Sequence, residues 1–170
     1  MKIRKARAAD IPAIHRIIDH YAGLGFLLPR DPGDIRKHLR GFIVAARGRQ
    51  IIGCVSLEFY NLSLAEIRSL AVNPEIRGQG LGTRLLQAAL DLAAELKLSR
   101  VFALTSSPRF FLAQGFGLAR RQALHEKVER DCIHCSKANT CRLSAVVMDL
   151  SDAHSALNIV SVVSEAAQAE

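Results

Sequence analysis

Three glycines at alternate positions, Gly78, Gly80 and Gly82, lie in the stretch R-G-Q-G-L-G-T, which has the composition of an anion-binding turn. Because glycine has no Cβ, its backbone adopts positive φ angles and approaches a ligand closely. A helix that begins directly after such a turn adds free N–H groups and the positive end of its dipole. We therefore interpret residues 77–83 as a turn that binds a diphosphate. An ordinary glycine-containing turn between a strand and a helix is the alternative.

Two common phosphate-binding motifs do not fit this stretch. A dinucleotide-binding G-x-G-x-x-G turn needs its third glycine where Thr83 stands, and no G-K-S/T follows as a P-loop requires. The turn is therefore expected to bind a diphosphate of another kind.

A strand and a helix flank the turn and must position it. Pro74 ends the strand, because proline has no N–H to donate to a neighbouring strand. Alternation places the odd positions from Ile67 to Ala71 on one face and the even positions from Glu66 to Val72 on the other. Apolar residues at helical spacing then predict the buried face of the helix. These residues are Leu81, Leu85, Ala89, Leu92 and Leu96.

The rest of the chain alternates between strands and helices, which indicates an α/β protein. The predicted strands are 2–7, 41–47, 50–60, 65–72, 99–105 and 143–150, and Gly115 and Phe116 return the chain to the sheet. Further helices are predicted after Asp10, after Asp31 or Asp34, and after Ser107. Residues 41–60 have the pattern of a β-hairpin.

Length and composition predict one globular domain over residues 1–150, followed by a tail or weak helix over residues 151–170. The chain has 170 residues, of which 49% are hydrophobic, enough to bury a core. No N-terminal apolar run and no stretch of about 18 apolar residues is present, so neither a signal peptide nor a membrane span is expected. The cytoplasm is therefore the expected location.

The net charge of +7 suits several kinds of partner. Nucleic acid, an anionic membrane surface and small polyanions all attract a basic protein. Because only 5% of the residues are aromatic and no basic–aromatic array is present, nucleic-acid binding is disfavoured. We expect a small-molecule substrate and neither nucleic acid nor membrane as partner, and the sequence leaves a homodimer open.

The stretch V-N-P-E-I-R-G-Q-G-L-G, followed by an apolar helix, resembles the acetyl-CoA motif of the GCN5-related N-acetyltransferases. This resemblance implies a mixed, mostly antiparallel sheet flanked by helices, with splayed fourth and fifth strands that form the acetyl-CoA cleft. It implies that the strand end pairs with the pantetheine and that Phe111 occupies the aromatic slot where many members carry a tyrosine. The implied cofactor-binding residues are Leu70, Ala71, Val72, Arg77, Gly78, Gln79, Gly80, Leu81, Gly82, Thr83 and Phe111.

Acetyl transfer to an amine needs a base, because free amines are protonated near pH 7. Glu66 is the candidate, since it lies at the start of the strand beside the expected cleft; a surface carboxylate paired with an arginine is the alternative. The leaving thiolate has a pKa near ~8.5 and needs little help from an acid. Thr105, Ser106 or Ser107 could donate a proton, although Ser107 also suits a helix cap.

Further segments resemble the short, single-domain N-acetylglutamate synthases of bacterial arginine biosynthesis. They are L-L-P-R, A-E-I-R-S-L-A-V, V-F-A-L-T-S-S, R-F-F-L-A-Q-G-F and L-H-E-K-V-E-R-D-C-I-H-C. The resemblance implies that Arg30, Arg142 and Ser144 bind the carboxylates of glutamate. It also implies Glu66 as the base and Thr105 as the acid. Arginine suits this task because its planar fork binds a carboxylate through two hydrogen bonds.

Three cysteines cluster near the C-terminal strand. Cys132 and Cys135 have the spacing of a zinc site, but Cys141 has no second cysteine at that spacing. His134, His125 or Asp131 could complete a metal site, whereas free thiols in the substrate loop are the alternative that we adopt, with no metal. Cys54 lies in an apolar strand and is expected in the core.

The sequence therefore predicts an enzyme that acetylates the α-amine of an amino acid with acetyl-CoA, L-glutamate being the expected substrate. Three other functions stay open, one of them a metal module built on the cysteine loop that contacts nucleic acid. The chain could acetylate a protein N-terminus, a polyamine or another amino acid. It could also bind acyl-CoA without catalysis, because the usual tyrosine is absent.

Overall fold

A mixed seven-stranded sheet forms the centre of the protein in a computed structural model that describes residues 1–76, 78–136 and 138–150. The spatial order of the strands is β1-β2-β3-β4-β5-β7-β6, and only β4 and β5 are parallel. This arrangement confirms the predicted fold class. The strands are β1 (Lys2–Lys5), β2 (Phe42–Arg47), β3 (Gln50–Phe59), β4 (Leu64–Val72), β5 (Arg100–Thr105), β6 (Gly117–Ala119) and β7 (Ser144–Asp149).

Helices cover both faces of the sheet. They are α1 (Ile11–Gly23), α2 (Pro32–Lys37), α3 (Leu81–Glu95), α4 (Pro108–Leu112) and α5 (His125–Lys127), which continues as a π-helical turn (Val128–Cys132). Alternate residues of β2 pack against different helices: Ile43 and Ala45 belong to the core under α3, whereas Phe42 and Val44 belong to the core under α1. We call these two faces the α3 side and the α1 side.

The long helix α3 buries the apolar stripe that its sequence predicts. Its buried residues are Leu81, Leu85, Leu86, Ala89, Leu92 and Ala93. The prediction was wrong for Leu96, which follows the last helical residue and is 47% exposed. At the other face, α1 is tied to the end of β4, because the hydroxyl of Tyr21 donates to the Val72 carbonyl at 2.5 Å.

Strand β4 contains a β-bulge that changes which face each side chain occupies. Ser69 has a left-handed backbone with φ of 53°. The register runs from the pair Ser56 and Arg68 directly to the pair Cys54 and Ala71, so two β4 residues oppose one β3 residue. As a result Ile67 packs on the α3 side and Ala71 on the α1 side. The predicted strict alternation was therefore wrong beyond Arg68.

The parallel strands β4 and β5 part after three residue pairs. Their register covers only Leu64 to Glu66 on β4 and Arg100 to Phe102 on β5. Beyond Phe102, β5 stays paired with β7 to its end at Thr105, so in the described chain the rest of β4 has no partner on that side. This confirms the predicted splay. The gap opens at the end of β4 from which the chain leads into α3.

Two further predictions concern membrane-spanning helices and the C-terminal residues 151–170. Within the residues that the structure describes, no helix is long and apolar enough to cross a membrane. The predicted tail or weak helix over residues 151–170 lies outside the described residues.

The bulge predicts how Ser69 tolerates substitution. A β-branched residue strongly disfavours positive φ, so Ser69→Val should lower the free energy of unfolding by about 1–3 kcal/mol. Glycine adopts this backbone without strain, so Ser69→Gly should stay within about 1 kcal/mol of the parent protein. Urea unfolding of the three proteins measures both values. Equal stability of Ser69→Val and the parent protein would show that β4 has no bulge at this position.

Candidate active site

The glycine turn before α3 has the open geometry of an anion site. Gly78 and Gly80 have φ angles of 79° and 70°, and a Cβ atom added to either would meet no other group within 4 Å. Gly80 is the N-cap of α3, so the first N–H groups of the helix have no acceptor within the helix. The side chain of Leu81 is buried in the core, so only its backbone is available to a ligand at the turn. Arg77, predicted as part of this site, lies outside the described residues.

The aromatic ring beside this turn belongs to Phe110. A Cβ atom at Gly82 would lie 3.7 Å from the Phe110 ring. Phe111, which the family resemblance indicated, is 6% exposed and lies in the core on the α3 side. Its ring makes edge contacts with Phe110 and Phe116, each with ring centroids 5.2 Å apart. A direct role of Phe111 toward a cofactor stays a prediction.

Glu66 lies where β4 and β5 part, since it forms the last residue pair between them, with Phe102. Its side chain projects to the α1 side, opposite its neighbours Ala65 and Ile67, and the residue is only 3% exposed. Its Oε2 atom accepts a hydrogen bond from Lys127 Nζ at 2.9 Å and lies 2.9 Å from the Tyr60 hydroxyl, whose single proton serves one acceptor at a time. Glu66 is therefore a buried, ion-paired carboxylate and not a surface one.

Tyr60 and Lys127 also hold a second carboxylate, that of Asp131. Asp131 Oδ2 lies 2.7 Å from the Tyr60 hydroxyl and 2.8 Å from Lys127 Nζ. Arg130 donates to the other oxygen of Asp131 at 3.1 Å and stacks over the Tyr60 ring at 3.6 Å. The result is a closed ring of contacts in which a phenol and an ammonium group join two carboxylates.

A third carboxylate, Glu58, lies directly across the strand pair from Glu66. It is 6% exposed, and its oxygens lie 3.3 Å from Arg30 Nη2 and 3.2 Å from His38 Nε2. The Arg30 guanidinium also pairs with Asp34. In this structure Arg30, predicted to bind substrate, is thus buried and engaged by two carboxylates of the protein.

Arg68 lies near two of the three carboxylates, Glu66 and Asp131. Its Nε atom is 3.7 Å from Glu66 Oε2, and its Nη1 atom is 3.9 Å from Asp131 Oδ2. Both distances exceed a hydrogen bond. The Arg68 side chain is 24% exposed, compared with 5% for Glu66.

The charges of this network shift several pKa values. Burial alone would raise the pKa of Asp131, but hydrogen bonds from Lys127, Tyr60 and Arg130 hold it well below its ordinary range. Burial and the neighbouring carboxylates Glu66 and Asp131 raise the pKa of Tyr60. Burial would lower the pKa of Arg68, but Glu66 and Glu58 raise it. Asp131 and Arg68 therefore stay charged across the physiological range, and Tyr60 stays neutral.

The glycine turn and the carboxylate network lie on opposite faces of the sheet. The turn leads into α3, which packs on the α3 side. Glu58 and Glu66 share the α1 side with Ser56, whose β2 partner Phe42 belongs to the core under α1. The gap between β4 and β5 begins beside Glu66, at the level of the sheet that separates the two faces.

Thr105 and Ser144 are partners in the last residue pair of β5 and β7. The Thr105 hydroxyl oxygen accepts from the Ser107 N–H at 2.9 Å, which leaves the hydroxyl proton free to be donated. Ser144 lines a cavity of about 480 Å³ together with Arg121 and Gln122, and Arg142 is exposed. Strands β4 and β5 lie between β7, which begins with Ser144, and β3, whose Glu58 contacts Arg30.

The cysteines behave as free thiols in this structure. Cys132, Cys135 and Cys141 are half-buried and line one cavity of about 160 Å³. Within residues 1–76, 78–136 and 138–150, no three His, Cys, Asp or Glu side chains converge to hold a metal ion. Cys54 lies in the core on the α1 side, as predicted, where burial raises the pKa of its thiol to about 12.

Sequence reasoning missed most of the residues around Glu66. Tyr60 and Lys127 contact it, Asp131 shares these two partners, and Glu58 faces it, yet none of these was proposed for the site. Two signals could have indicated them. Lys127 and Asp131 have the i, i+4 spacing of an ion pair on a helix, and a hairpin centred on Leu62 pairs Glu58 with Glu66.

Comparison with known proteins agrees with this geometry. A sequence profile of the Acetyltransferase (GNAT) family matches residues 12–116. An uncharacterized N-acetyltransferase of Chlorobaculum tepidum is 40% identical over 148 residues, which cover 87% of this chain and 96% of that protein. The amino-acid acetyltransferase of Mycobacterium tuberculosis is 36% identical over 117 residues, which cover 67% of each chain.

Solved structures share the fold. A Mycobacterium tuberculosis protein in complex with CoA has a TM-score of 0.75 and 28% identity, covering 88% of this chain and 99% of that one. N-acetylglutamate synthase from Neisseria gonorrhoeae, complexed with coenzyme A and N-acetyl-glutamate, has a TM-score of 0.77 and 29% identity. This chain spans 35% of that synthase. Together with the strand–turn–helix unit and the splayed strands, these matches show that the chain belongs to the acetyltransferase (GNAT) family, whose cosubstrate is acetyl-CoA.

Proposed function

We propose that this chain transfers the acetyl group of acetyl-CoA to the α-amine of an amino acid, with L-glutamate as the substrate. The observation that carries the proposal is the place of Glu66, a buried carboxylate beside the gap between the anion-binding turn and the charged network. Relatives named amino-acid acetyltransferase, at 36% and 33% identity, support an amino acid as the acceptor. The N-acetyl-glutamate complex of the Neisseria synthase supports glutamate.

Acetyl-CoA is proposed to bind across the end of β4. The amides of residues 78–83, with Arg77, hold its pyrophosphate at the start of α3. Beyond Glu66, β4 lacks a β5 partner, so the backbone groups of Leu70 to Val72 on that edge are available to the amides of the pantetheine, apart from the Val72 carbonyl, which accepts from Tyr21. Phe110, beside Gly82, adds an apolar wall to this path.

Glu66 is proposed as the base of the reaction. It takes the proton of the substrate ammonium, and the free amine attacks the thioester carbonyl. The new N–C bond forms and the C–S bond breaks, while the nitrogen loses its second proton and the departing CoA sulfur gains one, so that the products are the amide and the CoA thiol. The free hydroxyl proton of Thr105 is available to the departing sulfur, although a thiolate needs little acid assistance.

The side-chain carboxylate of the substrate is proposed to bind Arg142 and Ser144. These residues lie at the start of β7, next to the Thr105 end of the gap. Arg30 can reach a substrate carboxylate only by releasing Asp34 or Glu58. Its predicted contact with the substrate therefore depends on such an exchange.

Release of CoA from acetyl-CoA in the presence of single amines tests the proposal. L-Glutamate should give the highest kcat/KM of the twenty amino acids, a polyamine and an N-terminal peptide, because its side chain brings a carboxylate to Arg142 and Ser144 and is one methylene longer than that of L-aspartate. Mass spectrometry should find N-acetyl-L-glutamate as the product. Release of CoA with another amine and none with glutamate would refute the choice of substrate.

Replacement of Glu66 tests its role as the base. Glu66→Gln keeps the shape of the side chain and removes its basicity, so kcat should fall by about 10²–10⁴. The KM for acetyl-CoA should stay the same, and thermal unfolding should show that the fold is kept. Glu95→Gln, which changes an exposed carboxylate at the end of α3, is the matched control and should retain full activity. Unchanged turnover of Glu66→Gln would remove Glu66 as the base.

Two glycines with the same backbone geometry test the cofactor turn. Gly80 and Gly48 both have positive φ and open space around them, but Gly48 lies in the turn between β2 and β3. Gly80→Ala and Gly48→Ala should therefore lower the free energy of unfolding by a similar amount, about 1 kcal/mol. Only Gly80→Ala should raise the KM for acetyl-CoA, by about tenfold, because it displaces N–H donors to the pyrophosphate. An equal KM in both variants would contradict this placement of the pyrophosphate.

A further inference from the structure

Arg68 is the cation of the central network that the protein holds most loosely. Lys127 lies within 2.9 Å of two carboxylates, Arg130 lies 3.1 Å from Asp131, and Arg30 pairs with Asp34 and Glu58. For Arg68 the closest carboxylate oxygens among the described residues are 3.7 and 3.9 Å away. Its guanidinium donors are therefore available to a ligand, although its charge belongs to the network.

The position of Arg68 directs these donors toward the place where the acetyl group must arrive. It follows Glu66 by two residues on β4 and faces the same α1 side, opposite Ser56 on β3. It also lies beyond the last residue pair of β4 with β5, at the opening of the gap. With 24% of its side chain exposed, Arg68 is more accessible than Glu58, Glu66 or Lys127.

Glu66 and Arg68 present a negative and a positive group 3.7 Å apart. A free α-amino acid carries the complementary pair, an ammonium and a carboxylate attached to one carbon atom. We propose that Arg68 binds the α-carboxylate of the amino-acid substrate while Glu66 contacts its amine. This inference rests on the proposed function and adds the residue that selects α-amino acids.

The pairing explains how the site distinguishes a free amino acid from other amines. A polyamine or a lysine side chain has no carboxylate next to its amine, and the first residue of a protein carries a peptide bond there. Each would cover the N–H donors of Arg68 beside the gap without offering them a carboxylate acceptor, and donors left unsatisfied under a ligand are costly. Arg68 thus disfavours protein N-termini and polyamines. The side-chain carboxylate of the substrate is left to Arg142 and Ser144.

Three acceptors separate the two carboxylate sites: L-glutamate, L-glutamine, which lacks the side-chain carboxylate, and the α-amide of L-glutamate, which lacks the α-carboxylate. The parent enzyme should prefer glutamate to both amides. Arg68→Gln should lower kcat/KM for glutamate and glutamine by about 10–100-fold, mainly through KM, because it removes a charge-assisted double hydrogen bond. It should hardly change kcat/KM for the α-amide. Arg68→Lys, which keeps the charge but not the planar fork, should be intermediate.

Two further variants serve as controls. Arg142→Gln should lower the preference for glutamate over glutamine and leave the preference for glutamate over its α-amide. Arg16→Gln changes an exposed arginine on α1 and should match the parent enzyme with all three acceptors. Thermal unfolding of each variant separates a folding defect from a binding defect. If Arg68→Gln does not fold, Arg68→Lys decides: a loss of at least about fivefold confined to the two acceptors with an α-carboxylate supports the proposal.

The outcomes separate this inference from the proposed function. If the parent enzyme acetylates glutamate and the Arg68 variants keep its preference for glutamate over the α-amide, the role of Arg68 is refuted and the proposed function stands. If the parent enzyme acetylates no free amino acid, the proposed function fails and the role of Arg68 fails with it. The inference is supported if the Arg68 variants lose the preference for glutamate over its α-amide while Arg142→Gln and Arg16→Gln keep it.

Discussion

The ammonium group of Lys127 makes the contacts on which the arrangement of the candidate active site depends. It lies 2.9 Å from Glu66 and 2.8 Å from Asp131, two carboxylates that would repel each other without a cation between them. Burying these charges costs several kcal/mol per ion unless every group is matched, and Tyr60 and Arg130 complete the matching. Because Glu66 belongs to β4 and Asp131 to the π-helical turn, this ion pair holds the segment after β6 over the sheet.

Because β4 and β5 part beside Glu66, a gap for ligands begins next to the charged network. A parallel pair that stayed hydrogen-bonded to its end would separate the α3 side from the α1 side with a continuous backbone. Here the pairing stops at Glu66, so the gap begins beside the carboxylate that Lys127 holds in place. In the proposed reaction the cosubstrate and the amine approach from opposite faces and meet at the gap. Neither ligand has to pass the other.

Local patterns in the sequence predicted the secondary structure and the glycine turn before α3, because helices and turns depend on residues close in the chain. The splay of the strands came from family resemblance, since no local pattern encodes it. The partners of Glu66 were not predicted, because Lys127 and Asp131 lie more than sixty residues away along the chain and only the fold brings them together. Leu96 and the faces of β4 were predicted wrongly, because a helix end and a bulge interrupt the periodicity on which such predictions depend.

The bulge at Ser69 explains how one strand serves both ligands. With regular alternation, Leu70 and Val72 would share the face of Glu66 and Arg68. The extra residue reverses the alternation, so Leu70 and Val72 pack on the α3 side, toward the turn that leads into α3, while Glu66 and Arg68 stay on the α1 side. A left-handed serine is strained, and such strain persists only where the surrounding structure imposes it. In β4 it separates the residues proposed to contact the cosubstrate from those proposed to contact the amine.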